Sequence, residues 1–129
     1  MSLEDKIRNE LVKEDPKYLE EHLQDAKKIF SLTDSGDINI EVNNPSQKDR
    51  ILIHFIGLKY AHEGGMRDSC SQHYKDLCGE LGLNQSSARV ALSNWKSKGF
   101  IKQPDTGVYE LDASSLGEII EFMEDKYEK

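Results

Sequence analysis

Apolar residues recur at helical spacing in two adjoining stretches between residues 74 and 98. The first stretch follows an i, i+3, i+4, i+7 pattern, through Tyr74, Leu77, Cys78 and Leu81. Gly82 ends this predicted helix, and Asn84 is a residue type that caps the start of a helix. A second helix is therefore predicted over residues 85–98, with its apolar side formed by Ala88, Ala91, Leu92 and Trp95.

The pattern changes after Gly99 from helical to extended. A strand is predicted to begin at Phe100–Ile101, and the residues Pro104 to Gly107 have the composition of a turn. Val108–Leu111 then returns as a second strand. The stretch from 74 to 111 therefore predicts two helices joined by a tight turn, followed by a β-hairpin.

Upstream, the pattern predicts three helices and one strand. The helices are expected over Leu3–Lys13, from Asp15–Pro16 to Phe30, and from the cap Ser46 to Glu63 before Gly64–Gly65, and the strand over residues 38–42. The third helix is apolar on two faces, so we expect the N-terminal helix or the strand to cover its second face. His54 is expected in or near the core. Downstream, Ser115–Glu118 predicts a capping box that opens a last helix.

The order of elements resembles that of the winged-helix branch of the helix-turn-helix superfamily. The resemblance covers Ser46 to Leu111 and is carried by Leu81-Gly82-Leu83-Asn84-Gln85-Ser86-Ser87-Ala88, by Leu92 and Trp95, and by Lys98-Gly99-Phe100-Ile101. It implies a mainly α fold with a small antiparallel sheet. The expected organisation is an N-terminal helix–strand extension (1–45) packed on the same domain, a winged-helix core (46–111) and a C-terminal helix (112–129).

Charge is distributed unevenly along the chain. The net charge is −7, which argues against nonspecific nucleic-acid binding by the whole molecule. Residues 82–103, however, carry four basic and no acidic side chains. This basic segment coincides with the second predicted helix and the first strand of the hairpin, which favours DNA binding there.

The resemblance implies DNA contacts from the helix over 85–98, which would lie in the major groove. It places contacts at Asn84 to Ser87, Arg89, Val90 and Ser93; Val90 could make only apolar contact. Asparagine and glutamine pair with adenine, arginine pairs with guanine, and serine bonds to bases or phosphate. The candidate base-facing residues are Asn84, Gln85, Ser86, Ser87, Arg89, Ser93 and Asn94, and the candidate phosphate contacts are Lys96, Lys98 and Lys102.

The expected function is sequence-specific binding of double-stranded DNA in transcription regulation. The alternative is a winged-helix module that binds another protein and no DNA. The acidic segments on both sides favour this alternative, as does Asp105, which lies in the wing where phosphates would approach.

Other chemistry finds little support in the sequence. No phosphate-binding loop, nucleophile elbow or carboxylate pair appears, so neither an enzyme nor a cofactor is expected. Cys70, His73 and Cys78 lack the spacing of a zinc site, and Cys78 lies on an apolar helix face, so we expect no metal. With two cysteines and no long apolar run, a reduced cytoplasmic protein without a membrane contact is expected.

The last predicted helix carries apolar residues on more than one side. We therefore expect a homodimer whose interface is formed by Leu116, Ile119, Ile120, Phe122, Met123 and Tyr127. The alternative is that the helix over residues 16–30 covers these side chains within the same chain.

Overall fold

A computed structural model describes Leu3 and residues 17–127. Helices predominate, and two small antiparallel sheets accompany them. The elements are α1 (Lys17–Glu21), α2 (Leu23–Ala26), β1 (Phe30–Leu32), β2 (Ile38–Ile40), α3 (Gln47–Glu63), β3 (Gln72–His73), α4 (Tyr74–Leu81), α5 (Gln85–Ser97), β4 (Ile101–Asp105), β5 (Val108–Leu111), a 3-10 turn (Ala113–Ser115) and α6 (Leu116–Tyr127). Apart from Leu3, the helix predicted over residues 3–13 lies outside the described residues, as does the predicted helix start at 15–16. No helix in the described part of the chain is long and apolar enough to cross a membrane.

The prediction of one continuous helix from 16 to 30 is wrong. Two short helices, α1 and α2, occupy its first part, and Phe30 begins strand β1. Phe30 pairs with Ile40 in an antiparallel ladder and is buried against the ring of Tyr60, with the ring centroids 5.7 Å apart. The pairing with β2 and the burial on α3 outweigh the local helical pattern. Strand β2 is also shorter than predicted and ends at Ile40.

Helix α3 is the centre of the fold. Its N-cap is Ser46, whose hydroxyl accepts a hydrogen bond from the Asp49 backbone at 3.1 Å, and its C-cap is Gly64. The residues from Ile51 to Lys59 are all buried. Strands β1 and β2 contact the helix, and so do α5 and β5, which confirms that it is covered on both faces. At Gly57 an added Cβ would lie 2.7 Å from side-chain atoms of Ile38, so glycine permits this close approach.

The two helices α4 and α5 are joined by a three-residue turn. Gly82 has a φ of +69°, a left-handed conformation that favours glycine, and the Leu83 backbone donates to Cys78 O at 3.0 Å. The Asn84 side chain accepts from the backbone of Ser86 at 2.8 Å and of Ser87 at 3.3 Å. The predicted cap is thus confirmed.

The three-stranded sheet has the order β3-β5-β4. Strand β4 extends to Asp105, so the turn consists of Thr106 and Gly107, and the prediction that Pro104 lies in the turn is wrong. Asp105 pairs with Val108, but Lys102 pairs with Glu110, so the register shifts around Pro104. Because β4 is an edge strand, a proline without an N–H group is tolerated there.

The start of α6 differs from the predicted capping box. The side chain of Asp112 caps the 3-10 turn by accepting from the Ser114 backbone at 3.1 Å. The Ser115 hydroxyl instead donates to Gly99 O at 2.9 Å. Ser115 therefore ties the end of α5 to the start of α6.

The apolar strip predicted on α6 for a dimer interface is buried within the same chain. Phe122 is half-buried and contacts Trp95 edge-on, with the ring centroids 5.6 Å apart. Tyr127, also half-buried, donates to the Asp49 carboxylate. Helix α1 also contacts α6. The side chains fully buried there are Leu116, Ile119, Ile120 and Met123. These four side chains are therefore covered by the core of their own chain and offer no surface to a second copy, which contradicts this part of the predicted interface, whereas Phe122 and Tyr127 remain partly exposed.

Candidate nucleic-acid interface

Helix α5 separates its side chains cleanly between core and solvent. Its apolar side is buried, and Trp95 at 0% exposure donates through Nε1 to the Lys48 carbonyl at 2.7 Å. Val90 is the exception among the apolar residues, with 63% exposure. The polar residues Gln85, Ser86, Ser87, Arg89, Ser93 and Asn94 are all exposed, as the sequence predicted.

A shallow concavity of about 520 Å³ lies between α5 and β5, and we call it the helix–hairpin groove. It is lined by Ser86, Arg89, Val90, Ser93, Asn94 and Tyr109. The structure therefore brings five predicted contact positions of α5 to one surface. Tyr109 was not predicted as part of the site. Strand alternation places Tyr109 on the same face as the buried Leu111, so the sequence pattern assigns it to the core.

Asn84 lies at the start of α5, but its side-chain oxygen is already engaged. The Oδ1 atom accepts both hydrogen bonds of the helix cap, from Ser86 and Ser87. A base contact through this oxygen would compete with the cap. The role that the structure shows for Asn84 is thus to define where α5 begins.

The three predicted phosphate contacts lie near the end of α5 and the start of the hairpin, and each has an internal partner. Lys96 Nζ donates to Gln103 Oε1 at 2.8 Å. Lys98 Nζ lies 5.2 Å from the centroid of the Phe122 ring, within the range of a cation–π contact. Lys102 Nζ lies 4.0 Å from a carboxylate oxygen of Glu110. The partners of Lys96 and Lys98 are uncharged, whereas the carboxylate of Glu110 partly neutralises Lys102.

The tip of the hairpin offers no positive charge. The Asp105 carboxylate accepts a hydrogen bond from the Thr106 backbone at 2.8 Å and so supports the turn. Gly107 follows in a left-handed conformation with a φ of +72°. Any positive potential at this surface comes from α5 and the beginning of β4, and the tip opposes it.

A partly buried polar network joins α3 to α4. His54, at 1% exposure, places Nε2 at 2.9 Å from Gln72 Oε1 and 3.3 Å from Glu80 Oε2. Arg67 donates to both Glu80 oxygens, at 3.4 and 3.1 Å, and its Nε donates to Gly36 O at 2.8 Å. The network thus connects α3, α4 and β3 with the turn between β1 and β2.

Burial sets the direction of the pKa shift at His54, and the neighbouring groups set it at Glu80. Removal from water lowers the pKa of His54 below its ordinary value, and this outweighs the opposing effect of Glu80. Burial raises the pKa of Glu80, but the hydrogen bond from Arg67 opposes it, as does the charge that His54 acquires when it is protonated in acid, and together they bring the pKa below its ordinary value. A neutral His54 donating from Nε2 and an ionised Glu80 are therefore favoured at neutral pH.

A second concavity, of about 300 Å³, lies between α2 and β1, and we call it the N-terminal pocket. Its lining is mainly apolar and consists of Leu23, Ala26, Lys27, Phe30, Ser31, Leu32 and Tyr60. The Tyr60 hydroxyl donates to Leu19 O at 2.7 Å, and burial, with the nearby Asp25, raises its pKa to about 12. The polar end of this ring is thus bonded within the protein.

The cysteine and histidine side chains are spread among several environments. Cys78 is 5% exposed in the core, and burial raises the pKa of its thiol. The His73 imidazole accepts a hydrogen bond from the Lys75 backbone at 3.2 Å and caps α4. In the described part of the chain, no group of three or more His, Cys, Asp or Glu side chains has an arrangement that could hold a metal ion.

Comparisons with protein-family models, with curated proteins and with solved structures found no match for this chain.

Proposed function

We propose that this protein is a winged-helix protein that binds double-stranded DNA sequence-specifically and regulates transcription. Support for the fold comes from the order α3-β3-α4-α5-β4-β5, with a tight turn before α5 and a hairpin after it. The observation that carries the function is the polar, exposed face of α5. It includes Arg89 and lies within the segment that has four basic and no acidic side chains.

In the proposed mode of binding, α5 enters the major groove. Gln85 and Asn94 have the amide groups that pair with adenine, and Arg89 has the fork of donors that pairs with guanine. Lys96 and Lys98 would contact phosphates and fix the register of the helix. Val90 lines the helix–hairpin groove of the protein, and from there it would contact the methyl group of a thymine. No catalytic step forms part of this function.

The alternative is a module that binds another protein through the same surface. Two observations favour it: the acidic tip of the hairpin at Asp105, and the pairing of Lys102 with Glu110. The exposed Val90 in the lining of the helix–hairpin groove would also suit an apolar contact with a partner.

Titration of DNA binding with salt separates the two functions. Binding to a random-sequence duplex releases counterions, so two to four phosphate contacts should give a slope of log K against log salt of about −2 to −4. Fluorescence anisotropy at low and moderate salt measures this slope. Failure to bind at low salt would refute DNA binding and favour a protein partner.

Matched variants locate the DNA-binding surface. The double variant Lys96→Gln with Lys98→Gln should bind all duplexes more weakly and should flatten the slope of log K against log salt by about 2. The control double variant Lys27→Gln with Lys28→Gln should keep the affinity and the slope of the parent. On a selected duplex, Arg89→Ala should cost about 1–3 kcal/mol because a bidentate guanine contact is lost. Equal losses from both lysine pairs would mean that α5 is not the DNA-binding face.

A further inference from the structure

Arg89 is supported by aromatic side chains that lead back to the hairpin. Its Cζ atom lies 5.4 Å from the centroid of the Tyr74 ring, within the range of a cation–π contact. The Tyr74 ring stacks on the His73 imidazole, with the centroids 4.6 Å apart and an interplanar angle of 29°. His73 in turn packs beside Gly107, where an added Cβ would meet its Nε2 atom at 2.6 Å.

The backbone holds this stack in place at two points. The Tyr74 N–H donates to Gly107 O at 2.9 Å, and His73 pairs with Val108 in the sheet. The His73 ring is also fixed as the N-cap of α4. The ring beneath Arg89 is thus anchored to both α4 and the β4–β5 hairpin.

The arginine itself keeps its hydrogen-bonding capacity for a ligand. In the described residues, Arg89 makes no ion pair, and its side chain lines the helix–hairpin groove. A long unsupported side chain loses rotamer freedom when it binds, and this loss opposes recognition. Stacking on an aromatic ring restricts the guanidinium before binding while leaving the donors at its edge available.

We propose that Tyr74 is a positioning residue, which holds the Arg89 guanidinium in the helix–hairpin groove so that it reads a guanine. This inference rests on the proposed function, because it assigns the determinant of specificity within the same surface. It extends the site to a residue of α4 whose apolar spacing in the sequence indicates only a place in the core.

A DNA-free measurement tests the geometry first. In the parent protein, the NMR signal of the Arg89 Nε–H group should be shifted by the ring current of Tyr74. Tyr74→Phe should keep this shift, and Tyr74→Leu should lose it. An Arg89 signal that is the same in the parent and in Tyr74→Leu would overturn the proposal, whether or not the protein binds DNA.

Discrimination between bases tests the consequence. A duplex selected by the parent protein is prepared with each guanine replaced in turn by 7-deazaguanine, which lacks the N7 acceptor. The parent should bind one of these duplexes at least about 5-fold more weakly, because the Arg89 guanidinium loses one of the two hydrogen bonds of the bidentate contact. Tyr74→Phe should keep this penalty, and Tyr74→Leu should reduce it at least threefold.

The salt dependence distinguishes positioning from loss of charge or structure. Tyr74→Leu retains the charge of Arg89, so the slope of log K against log salt should match that of the parent. Phe30→Leu is the matched control, because it also replaces a packed aromatic ring but lies at the N-terminal pocket; its discrimination should be unchanged. If the parent binds no duplex, the proposed function fails; if it binds and Tyr74→Leu discriminates as well as the parent, only this inference fails.

Discussion

The helix–hairpin groove and the N-terminal pocket are both concave, but they differ in what their side chains contact. The groove is lined largely by exposed polar residues of α5, and Arg89 makes no ion pair with any residue that the structure describes. The pocket is lined mainly by apolar residues, and the hydroxyl of Tyr60 is already bonded to Leu19. The groove can therefore recognise a polar surface, whereas the pocket mainly reflects how α1, α2 and β1 pack on α3.

The largest expected effect concerns the boundary between surface and core on α6. Ile119→Glu places a charge at a side chain with 0% exposure, which should destabilise the fold by more than about 4 kcal/mol. Urea denaturation followed by circular dichroism measures this loss. Glu121→Lys, at an exposed position of the same helix, is the control and should change stability by less than about 0.5 kcal/mol.

The opposite result would support the predicted dimer interface on α6. If Ile119→Glu stays folded and converts a dimeric parent into a monomer by light scattering, then α6 faces a second copy of the chain.

A second prediction separates the two concavities by their effects. Phe30→Ala removes a buried ring from the wall of the N-terminal pocket and should cost about 3 kcal/mol of stability without changing DNA affinity, measured where the variant is folded. Leu23→Ala is the matched control, because Leu23 lines the same pocket at 44% exposure and should cost less than about 1 kcal/mol. A specific loss of DNA affinity in Phe30→Ala would show that the pocket takes part in binding.

The sequence predicted the α4–α5 region well because its determinants are local. Gly82 and Asn84 act on the backbone within three residues, so the chain itself specifies where one helix ends and the next begins. The polar face of α5 follows from the same periodicity. Most of the candidate site could therefore be predicted before the structure was known.

The N-terminal region was predicted poorly because its determinants are not local. Phe30 fits the spacing of a helix, and only its partners Ile40 and Tyr60 make it part of a strand. The apolar strip of α6 has the same difficulty. Its spacing indicates that the side chains are buried, but it does not identify the residues that they pack against. Phe122 contacts Trp95, which is distant in the sequence.

The hairpin shows a third limit, which concerns register. A regular ladder counted back from the pair Asp105–Val108 would place Lys102 opposite Leu111. The shift around Pro104 places it opposite Glu110 instead, and the two side chains approach to 4.0 Å. The sequence could therefore assign Lys102 to the basic surface but could not show that Glu110 partly neutralises it.

The smallest expected effect tests whether the N-terminal region and the α4–α5 region respond to acid independently. Arg67 connects the two regions, because it donates both to Gly36 in the β1–β2 turn and to Glu80 on α4. His54 belongs to this network, and its folded pKa is lowered from the ordinary value of 6.5, so the unfolded chain takes up the proton first. Stability should therefore fall as pH drops through about 6.5. The lowered pKa of Glu80 has the same sign, but its contribution is lost only below its ordinary value of 4.5.

Thermal melts of the parent and of His54→Gln between pH 7.5 and 3.5 separate these two contributions. The melting temperature of the parent should fall between pH 7 and 5, and that of His54→Gln should fall less in this interval. Below about pH 4.5 the melting temperature of His54→Gln should still fall, because this variant retains Glu80 and Arg67. Both proteins are compared with their own values at pH 7.5, so a lower starting stability of the variant does not affect the test. Identical declines between pH 7 and 5 would mean that His54 titrates alike in the folded and unfolded chains. The network would then not couple protonation to the packing of α4 against the N-terminal turn, and the two regions would respond to acid independently.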